Sequence, residues 1–346
     1  MKKAIILLCC ITTIIACSPT KQKVEQVSTI DNTLQTKVDS ILENKLSEIN
    51  ALSGQVIIMK VQTGQIKVLI GLERKDSANY LPCETKAHES GLIHPISILA
   101  ALETGKVKLS DMVDTGNGIY SVHGKELKDH NWNRGGYGEI SIRQGLAVGS
   151  NIATYKAMEK AFSDNPQAYF TLLDKMNYGK PDSITGIANL KPAYFITPKD
   201  KDWNDTAFAW FCIGYSQNIA PIQMLTFYNA IANNGKMVQP QLYKDSTVVV
   251  NPQIASKTNI DSLKQALQYV VTDGVAKPAY SNKVQVAGKT GAVRLEDGSY
   301  MVEFCGYFPA NNPQYSVIIS INKEELPASG GLMAGDVFRQ IVDYMN

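Results

Sequence analysis

The stretch VAGKTG, residues 286–291, carries the strongest structural signal in this sequence, and the stretch FCGYFPA at residues 304–310 follows it closely. Both overlap apolar runs rich in β-forming residues, which predict strands at 283–290, 299–308 and 314–322. Short turns with the sequences Asp-Gly and Asn-Asn-Pro separate the three runs, as in antiparallel hairpins. The C-terminal part of the chain is therefore predicted to form consecutive strands of one antiparallel sheet.

Two more strands are predicted near the N-terminus, at 55–61 and 65–72, with a Thr-Gly turn between them. A mixed block with several helical patterns, from about residue 105 to 275, separates them from the C-terminal strands. Apolar residues at helical spacing also predict helices at 31–49, 92–104, 223–232 and 337–345. Helices at both chain ends can cover the sheet. The expected fold class is therefore α+β: an antiparallel sheet flanked by helices, with an inserted helical lobe.

The string Gly288-Lys289-Thr290-Gly291 has two chemical interpretations. A phosphate-binding P-loop is excluded because its pattern requires a glycine at the position of Lys283, and because a strand rather than a helix follows. In the other interpretation, Lys289 and Thr290 on an edge strand supply a cation and a hydroxyl donor for a substrate carboxylate. Gly291 then allows a ligand backbone to approach closely. We therefore expect Lys289, Thr290 and Gly291 to bind a ligand.

Other segments follow a family pattern in one order along the chain, from about residue 29 to the C-terminus. Besides VAGKTG and FCGYFPA, they are Thr29-Ile30-Asp31 with Leu34-Gln35, Leu102-Glu103-Thr104-Gly105, Asp129-His130-Asn131-Trp132, Ile213-Gly214-Tyr215-Ser216, Pro221-Ile222-Gln223-Met224 and Ala232-Asn233-Asn234-Gly235. Together they resemble the transpeptidase domain of penicillin-binding proteins, within the serine D,D-transpeptidase and β-lactamase-like superfamily. This resemblance implies a two-lobed fold with the active site between the sheet and the helical lobe.

Two catalytic positions of the family are glycine in this sequence. The family's nucleophile motif is Ser-x-x-Lys followed by Pro, at a helix start where the helix dipole favours a developing anion. Alignment on Pro95 puts Gly91 at the serine position and His94 at the lysine position. The second motif, Ser-x-Asn, is Gly-Ser-Asn at residues 149–151, which keeps the asparagine and loses the serine. The motifs are therefore degenerate where proton transfer takes place and retained where a carboxylate is recognised.

This pattern favours a pseudoenzyme that binds peptidoglycan stem peptides or β-lactams non-covalently, or a cell-wall synthesis protein. Ser150 and Asn151 are expected to join the ligand-binding residues of the VAGKTG strand. Two alternatives stay open. Ser90 can be the nucleophile of a residual D,D-transpeptidase or carboxypeptidase, with His94 at i+4, if the helix begins one residue early. The other alternative is a decaying domain without a ligand.

The same resemblance suggests a repair of the degenerate motifs. Gly91→Ser, His94→Lys and Gly149→Ser together are expected to restore acylation by penicillin if the rest of the cleft is intact. This expectation assumes that a serine is tolerated at the helix start and that residue 149 does not need a positive φ.

The N-terminus has the features of a bacterial lipoprotein signal. Lys2 and Lys3 precede an apolar run, residues 4–16, which is too short to span a bilayer as a transmembrane helix. The run ends in Ala16-Cys17 and resembles a lipobox, in which the cysteine is lipidated; an ordinary signal peptide with an incidental cysteine is the alternative. We expect a lipid-anchored protein on the extracytoplasmic, periplasmic side of the cell envelope. Its parts are a signal peptide, a tether and the transpeptidase-like domain, at residues 1–16, 17–28 and 29–346.

Composition argues against several other functions. The net charge is +2, so we expect no nucleic-acid partner. No cofactor or metal is expected, because the four histidines lack zinc-ligand spacing; His123 and His130 fall in a polar segment that predicts a solvated loop. Cys83, Cys212 and Cys305 are left after removal of the signal, an odd number that predicts no disulfide framework.

Overall fold

Six strands pair into one antiparallel sheet in the computed structural model, which describes residues 26–76, 80–82 and 86–346. The fourteen strands of these residues, in chain order, are β1 Ser53–Lys60, β2 Ile66–Arg74, β3 Tyr80–Pro82, β4 Met112–Asp114, β5 Ile119–Val122, β6 Lys125–Lys128, β7 Glu139–Ser141, β8 Tyr194–Phe195, β9 Gln217–Asn218, β10 Met237–Val238, β11 Val249–Asn251, β12 Ala287–Arg294, β13 Tyr300–Phe308 and β14 Tyr315–Lys323. The large sheet has the order β12-β13-β14-β1-β2-β3, and each neighbouring pair is antiparallel. The predicted N-terminal hairpin and the three C-terminal strands are confirmed; they meet through the β14–β1 pair.

Strand β12 is an edge strand of this sheet and differs most from its predicted bounds. It runs from Ala287 to Arg294, whereas the sequence predicted a strand from Lys283 to Thr290. Its pairing with β13 continues without a break over its eight residues, and this pairing determines its length. Lys289 and Thr290 therefore lie in the middle of an edge strand rather than at its end.

Helices cover both faces of the large sheet. The α-helices of the described residues are α1 Asn32–Glu48, α2 His94–Glu103, α3 Ile142–Val148, α4 Asn151–Phe162, α5 Pro166–Lys175, α6 Ala207–Ile213, α7 Pro221–Ala232, α8 Lys257–Thr272 and α9 Asp336–Met345. The terminal helices α1 and α9 pack on one face, where the ring centroids of Phe304 in β13 and Phe338 in α9 are 4.6 Å apart. Helix α7 packs on the opposite face, where the Asn229 amide donates to the Val61 carbonyl at 3.0 Å. The expected α+β arrangement is confirmed.

Helices α3 to α6 and short two-stranded sheets form the inserted helical lobe. Its interior is aromatic: Tyr169 makes edge-to-face contacts with Phe208 and Phe211, at centroid distances of 6.1 and 5.9 Å. Helix α2 joins the lobe to the sheet, because the buried Ser97 hydroxyl donates to the Cys212 carbonyl at 2.9 Å. Within the parts of the chain described above, no helix combines the length and the apolar character needed to cross a bilayer.

Candidate active site

A cavity of about 230 Å³ lies where β12 meets the start of α2 and the turn between α3 and α4. Its walls include residues from all three motifs, namely Gly91 and His94, Gly149 and Asn151, and Lys289, Thr290 and Gly291. The other residues that line it are His130, Val148, Val275, Ala292, Ala328, Ser329, Gly330 and Gly331. The fold therefore brings together the motif positions that the family resemblance had paired across the sequence.

The Lys289 amine is the main electrostatic feature of this cavity. The residue is 2% exposed, and its Nζ donates to the Thr290 carbonyl at 2.7 Å and weakly to the Thr290 hydroxyl at 3.4 Å. Among the described residues, no carboxylate forms an ion pair with it. Burial lowers the pKa of Lys289 from 10.5 to about 7, because the charged form loses its hydration.

His94 occupies the position of the family's lysine and is held as a neutral imidazole. Its Nδ1 lies 3.2 Å from the hydroxyl oxygen of Thr154 in α4. Burial, together with the nearby Lys289 charge, lowers the pKa of His94 to about 3. A group with so low a pKa is a weak proton acceptor at neutral pH, so His94 does not replace the family's lysine as a base.

The backbone of β12 passes so close to Gly91 that residue 91 has no room for a side chain. Gly91 begins a 3-10 turn, Gly91–Ile93, ahead of α2. A Cβ atom built on it would lie 2.9 Å from the Ala292 nitrogen and 3.2 Å from the Gly291 Cα. These neighbours are backbone atoms of a paired strand and cannot rotate away. The expectation that serine is well tolerated at this helix start is therefore wrong, because it considered the helix and not the strand packed against it.

Gly149 has a left-handed backbone. It caps α3 with φ 70° and ψ 36°, so the condition placed on the Gly149→Ser repair is not met. Space is not the obstacle here: a Cβ atom at residue 149 would meet only the Lys289 Nζ, at 3.5 Å. A side chain is therefore unfavourable at these two positions for different reasons, a close backbone contact at Gly91 and a positive φ at Gly149.

Ser150 and Asn151 face different surroundings, although they are neighbours in the motif. The fully buried Ser150 caps α4: its hydroxyl accepts from the Ala153 amide at 2.9 Å and donates to the Asp129 carboxylate at 2.7 Å. That hydroxyl does not line the cavity, whereas Asn151 does, with its amide donating to the Lys128 carbonyl at 2.8 Å. Within this motif, the structure brings Asn151 and not Ser150 to the candidate ligand site.

Ser90 points away from the cavity, into the sheet. The residue is 1% exposed, and its hydroxyl donates to the Oε2 atom of Glu303 at 2.6 Å. Glu303 lies in β13 and is fully buried, which raises the pKa of its carboxyl; hydrogen bonds from Ser90 and Ser320 and the nearby His88 oppose that shift. His88 Nε2 lies 3.8 Å from the other carboxylate oxygen. Ser90 therefore anchors the turn that precedes α2, and its hydroxyl is not presented to a ligand in the cavity.

Three contributors to this region were not predicted from the sequence. His130 was assigned to a solvated loop, yet it lines the cavity, with Nε2 3.0 Å from the Tyr137 hydroxyl. Its place within a segment that resembles a family motif was the available signal. Glu303 was visible as a lone acid in an otherwise apolar strand, a pattern typical of a buried functional carboxylate. The third contributor, the segment Ala328–Gly331, has no comparable signal in the sequence.

The remaining candidates lie elsewhere. Cys17 and residues 17–25 of the predicted tether are outside the described residues, as is Cys83. Val27, at the end of the predicted tether, accepts a hydrogen bond from the Lys244 amide at 2.8 Å. Cys212 and Cys305 are buried free thiols in the core. Among the residues that the structure describes, no group of three or more histidine, cysteine or acidic side chains is placed to hold a metal ion.

Comparison with known proteins agrees with this arrangement. Residues 54–343 match the model of the penicillin-binding protein transpeptidase domain, and the chain belongs to that family. It is 27% identical over 341 residues to PbpC of Pseudomonas aeruginosa, a probable peptidoglycan D,D-transpeptidase, covering 90% of this chain and 57% of the relative. It is 23% identical over 331 residues to the peptidoglycan D,D-transpeptidase FtsI of Escherichia coli K12, covering 90% and 54%. The chain thus spans little more than half the length of these relatives.

Solved structures support the same fold. The transpeptidase domain of penicillin-binding protein 3 from Burkholderia pseudomallei superposes with a TM-score of 0.79 at 22% identity, over 95% of this chain and 97% of that one. A structure from Burkholderia ambifaria described as a peptidoglycan glycosyltransferase gives the same TM-score at 23% identity, over 92% and 96%. The two-lobed transpeptidase fold expected from the sequence is therefore confirmed.

Proposed function

We propose that this domain is a pseudoenzyme, which binds peptidoglycan stem peptides or β-lactams reversibly in the cavity beside β12. The observation that carries the proposal is at residue 91, where the nucleophile is missing and the β12 backbone occupies the space a side chain needs. His94 is consistent with it, because an imidazole whose pKa is lowered to about 3 is too weak a base to activate a nucleophile at neutral pH.

The retained residues support recognition of a carboxylate-terminated ligand. When Lys289 is protonated, it offers an unpaired cation at the cavity wall, and Thr290 and Asn151 offer polar groups beside it. Charge-assisted hydrogen bonds contribute roughly 1.5–3 kcal/mol each. Association also costs translational and side-chain entropy. We therefore expect a dissociation constant in the millimolar range, which corresponds to a binding free energy of about −4 kcal/mol.

The N-terminal sequence features support a location at the cell envelope for the proposed function. We propose that the protein is exported, lipidated at Cys17 and held at the membrane beside peptidoglycan, where a cell-wall synthesis protein is the expected partner. The D,D-transpeptidase activity named for the relatives supports this location, because their substrate lies outside the cytoplasm.

A penicillin-labelling experiment tests the proposal. Purified protein is incubated with a fluorescent penicillin, denatured and analysed by intact mass, with an active D,D-transpeptidase as the positive control. We expect no label that survives denaturation. An acyl adduct at Ser90 would instead support the residual D,D-transpeptidase or carboxypeptidase.

A binding measurement complements the labelling experiment. A D-Ala-terminated stem peptide should bind weakly by NMR titration, and Lys289→Ala should weaken that binding. Lys125→Ala is the matched control, because Lys125 is exposed on β6, outside the cavity-lining residues. Unchanged binding in Lys289→Ala would leave the retained motif with a structural role only.

A further inference from the structure

We propose that the Lys289 amine is a nucleophile, so that the cavity captures small aldehydes and ketones covalently as imines. This inference goes beyond the proposed function, since it assigns a reaction to a cavity that lacks the family's serine. It depends on three features of the described residues: the burial of the amine, the absence of an acidic partner and the glycine at residue 149.

The first feature is that the Lys289 amine lines the cavity although it is almost completely buried from solvent. Lys289 is 2% exposed and lines the cavity from the middle of β12. Its hydrogen-bond partners both belong to Thr290: the carbonyl oxygen at 2.7 Å and the hydroxyl at 3.4 Å. The hydroxyl contact is too long for a strong hydrogen bond to the lone pair of a neutral amine, and it is this lone pair that attacks a carbonyl carbon.

The second feature is the charge around the amine. Buried lysines are normally paired with a carboxylate, which keeps them protonated. Here, within the described residues, the ionisable groups that line the cavity with Lys289 are the imidazoles of His94 and His130. Neither stabilises a cation, and burial brings the pKa of the amine to about 7. At pH 7, about half of such amines are unprotonated, against roughly one in 3,000 for an ordinary lysine.

The third feature is Gly149, which leaves the space next to the amine open. A Cβ atom at residue 149 would lie 3.5 Å from the Lys289 Nζ, so a serine hydroxyl there would come within hydrogen-bond reach of the amine. A hydroxyl that donates to the lone pair would lower the nucleophilicity of the amine. The glycine that removes the family's second hydroxyl therefore also frees Lys289 to react.

The reaction is balanced without a further reagent. The neutral Lys289 Nζ adds to the carbonyl carbon, and the carbonyl oxygen takes up a proton while the nitrogen loses one, which gives a carbinolamine. Loss of the hydroxyl as water, with the second nitrogen proton, forms the C=N bond of the imine. The cavity of about 230 Å³ has room for a carbonyl compound of a few carbon atoms.

Reductive alkylation of the full-length protein tests this inference. Acetaldehyde and cyanoborohydride are added at pH 7, the hydride traps each imine as a secondary amine, and peptide mass mapping gives the rate at every lysine. We expect Lys289 to be modified at least about tenfold faster than the exposed Lys125. The Lys289 rate should also rise with pH and level off above about pH 8, because the amine is then almost fully unprotonated.

Two variants at residue 149 provide a matched comparison. Gly149→Ala and Gly149→Ser share the Cβ atom and the strain of a positive φ, and they differ only in the hydroxyl. We expect the serine variant to slow modification of Lys289 at least about threefold relative to the alanine variant. Lys289→Arg should remove the fast-reacting site, and circular dichroism verifies that each variant is folded.

The outcomes separate this inference from the proposed function. If Lys289 in folded wild-type protein reacts no faster than Lys125, or if the residue-149 variants react alike, the inference is wrong. If Lys289 reacts fast but a stem peptide neither binds nor protects it, the inference stands and the proposed function fails. If the peptide binds but Lys289 reacts slowly, the proposed function stands and the inference fails.

Discussion

Replacing Gly91 by serine is expected to destabilise the fold without creating a working nucleophile. The new Cβ would lie 2.9 Å from the Ala292 nitrogen, 3.2 Å from the Gly291 Cα and 3.3 Å from the Ala292 oxygen. Since Ala292 and Gly291 are paired to β13, the strand or the turn must move as a unit. Overpacking of this kind costs about 1–3 kcal/mol, and we expect a loss in this range for the free energy of unfolding.

Urea denaturation followed by circular dichroism measures this loss. Gly335→Ala is the matched control, because Gly335 is not in the left-handed region and the nearest atom to its added Cβ lies at 3.5 Å. We expect that control to change the free energy of unfolding by less than about 1 kcal/mol. The comparison separates the close approach of β12 from the general effect of replacing a glycine.

The Gly91→Ser substitution is also part of the triple variant that tests the repair of the motifs. Gly91→Ser combined with His94→Lys and Gly149→Ser adds a strained left-handed serine, at about 1–2 kcal/mol, to the contact at residue 91. We now expect this triple variant to lose stability and to remain unlabelled by fluorescent penicillin. The reasoning would be refuted by a Gly91→Ser protein of wild-type stability, or by a triple variant with a penicillin adduct at residue 91.

The remaining predictions concern pH, capping and anchoring. The folded-state pKa of Glu303 is raised above 4.5, so the folded protein holds more protons and its stability falls as pH rises past that value. The stability of Glu303→Gln relative to wild type should therefore increase as the pH rises above 4.5 in urea titrations, and a difference that does not change with pH would contradict this. Stem-peptide binding should be independent of pH below about 7 and weaken up to about tenfold per unit above it, as Lys289 must take up a proton; a flat calorimetric profile to pH 8.5 would argue against a role for the Lys289 charge. Ser150→Ala should lower the free energy of unfolding by about 1–2 kcal/mol through loss of the α4 cap, and an unchanged value would mean that the cap is dispensable. Cys17→Ala should abolish incorporation of labelled fatty acid, and persistent incorporation would exclude Cys17 as the lipidated residue.

The sequence was sufficient for the fold because its signals are local and periodic. Apolar β-rich runs bounded by Asp-Gly and Asn-Asn-Pro turns predicted three consecutive antiparallel strands, and helical spacing predicted α1, α2, α7 and α9. The order of the motifs along the chain then predicted correctly which segments share one cavity, including those of Gly91, Asn151 and Lys289. Each of these inferences uses neighbours within one element or the family's known order, so none requires knowledge of long-range packing.

The environment of each site residue was decided by tertiary structure alone. Ser90 and Glu303 are 213 residues apart, yet the hydrogen bond between them turns the Ser90 hydroxyl away from the cavity. The approach of β12 to Gly91, the positive φ of Gly149 and the unpaired burial of Lys289 likewise arise where distant elements meet. The space at a Cβ atom, the sign of φ and the loss of hydration around an amine depend on atoms brought together by the whole fold. A sequence pattern places a residue at a site, but only packing determines whether that residue has a partner, a proton or room for a side chain.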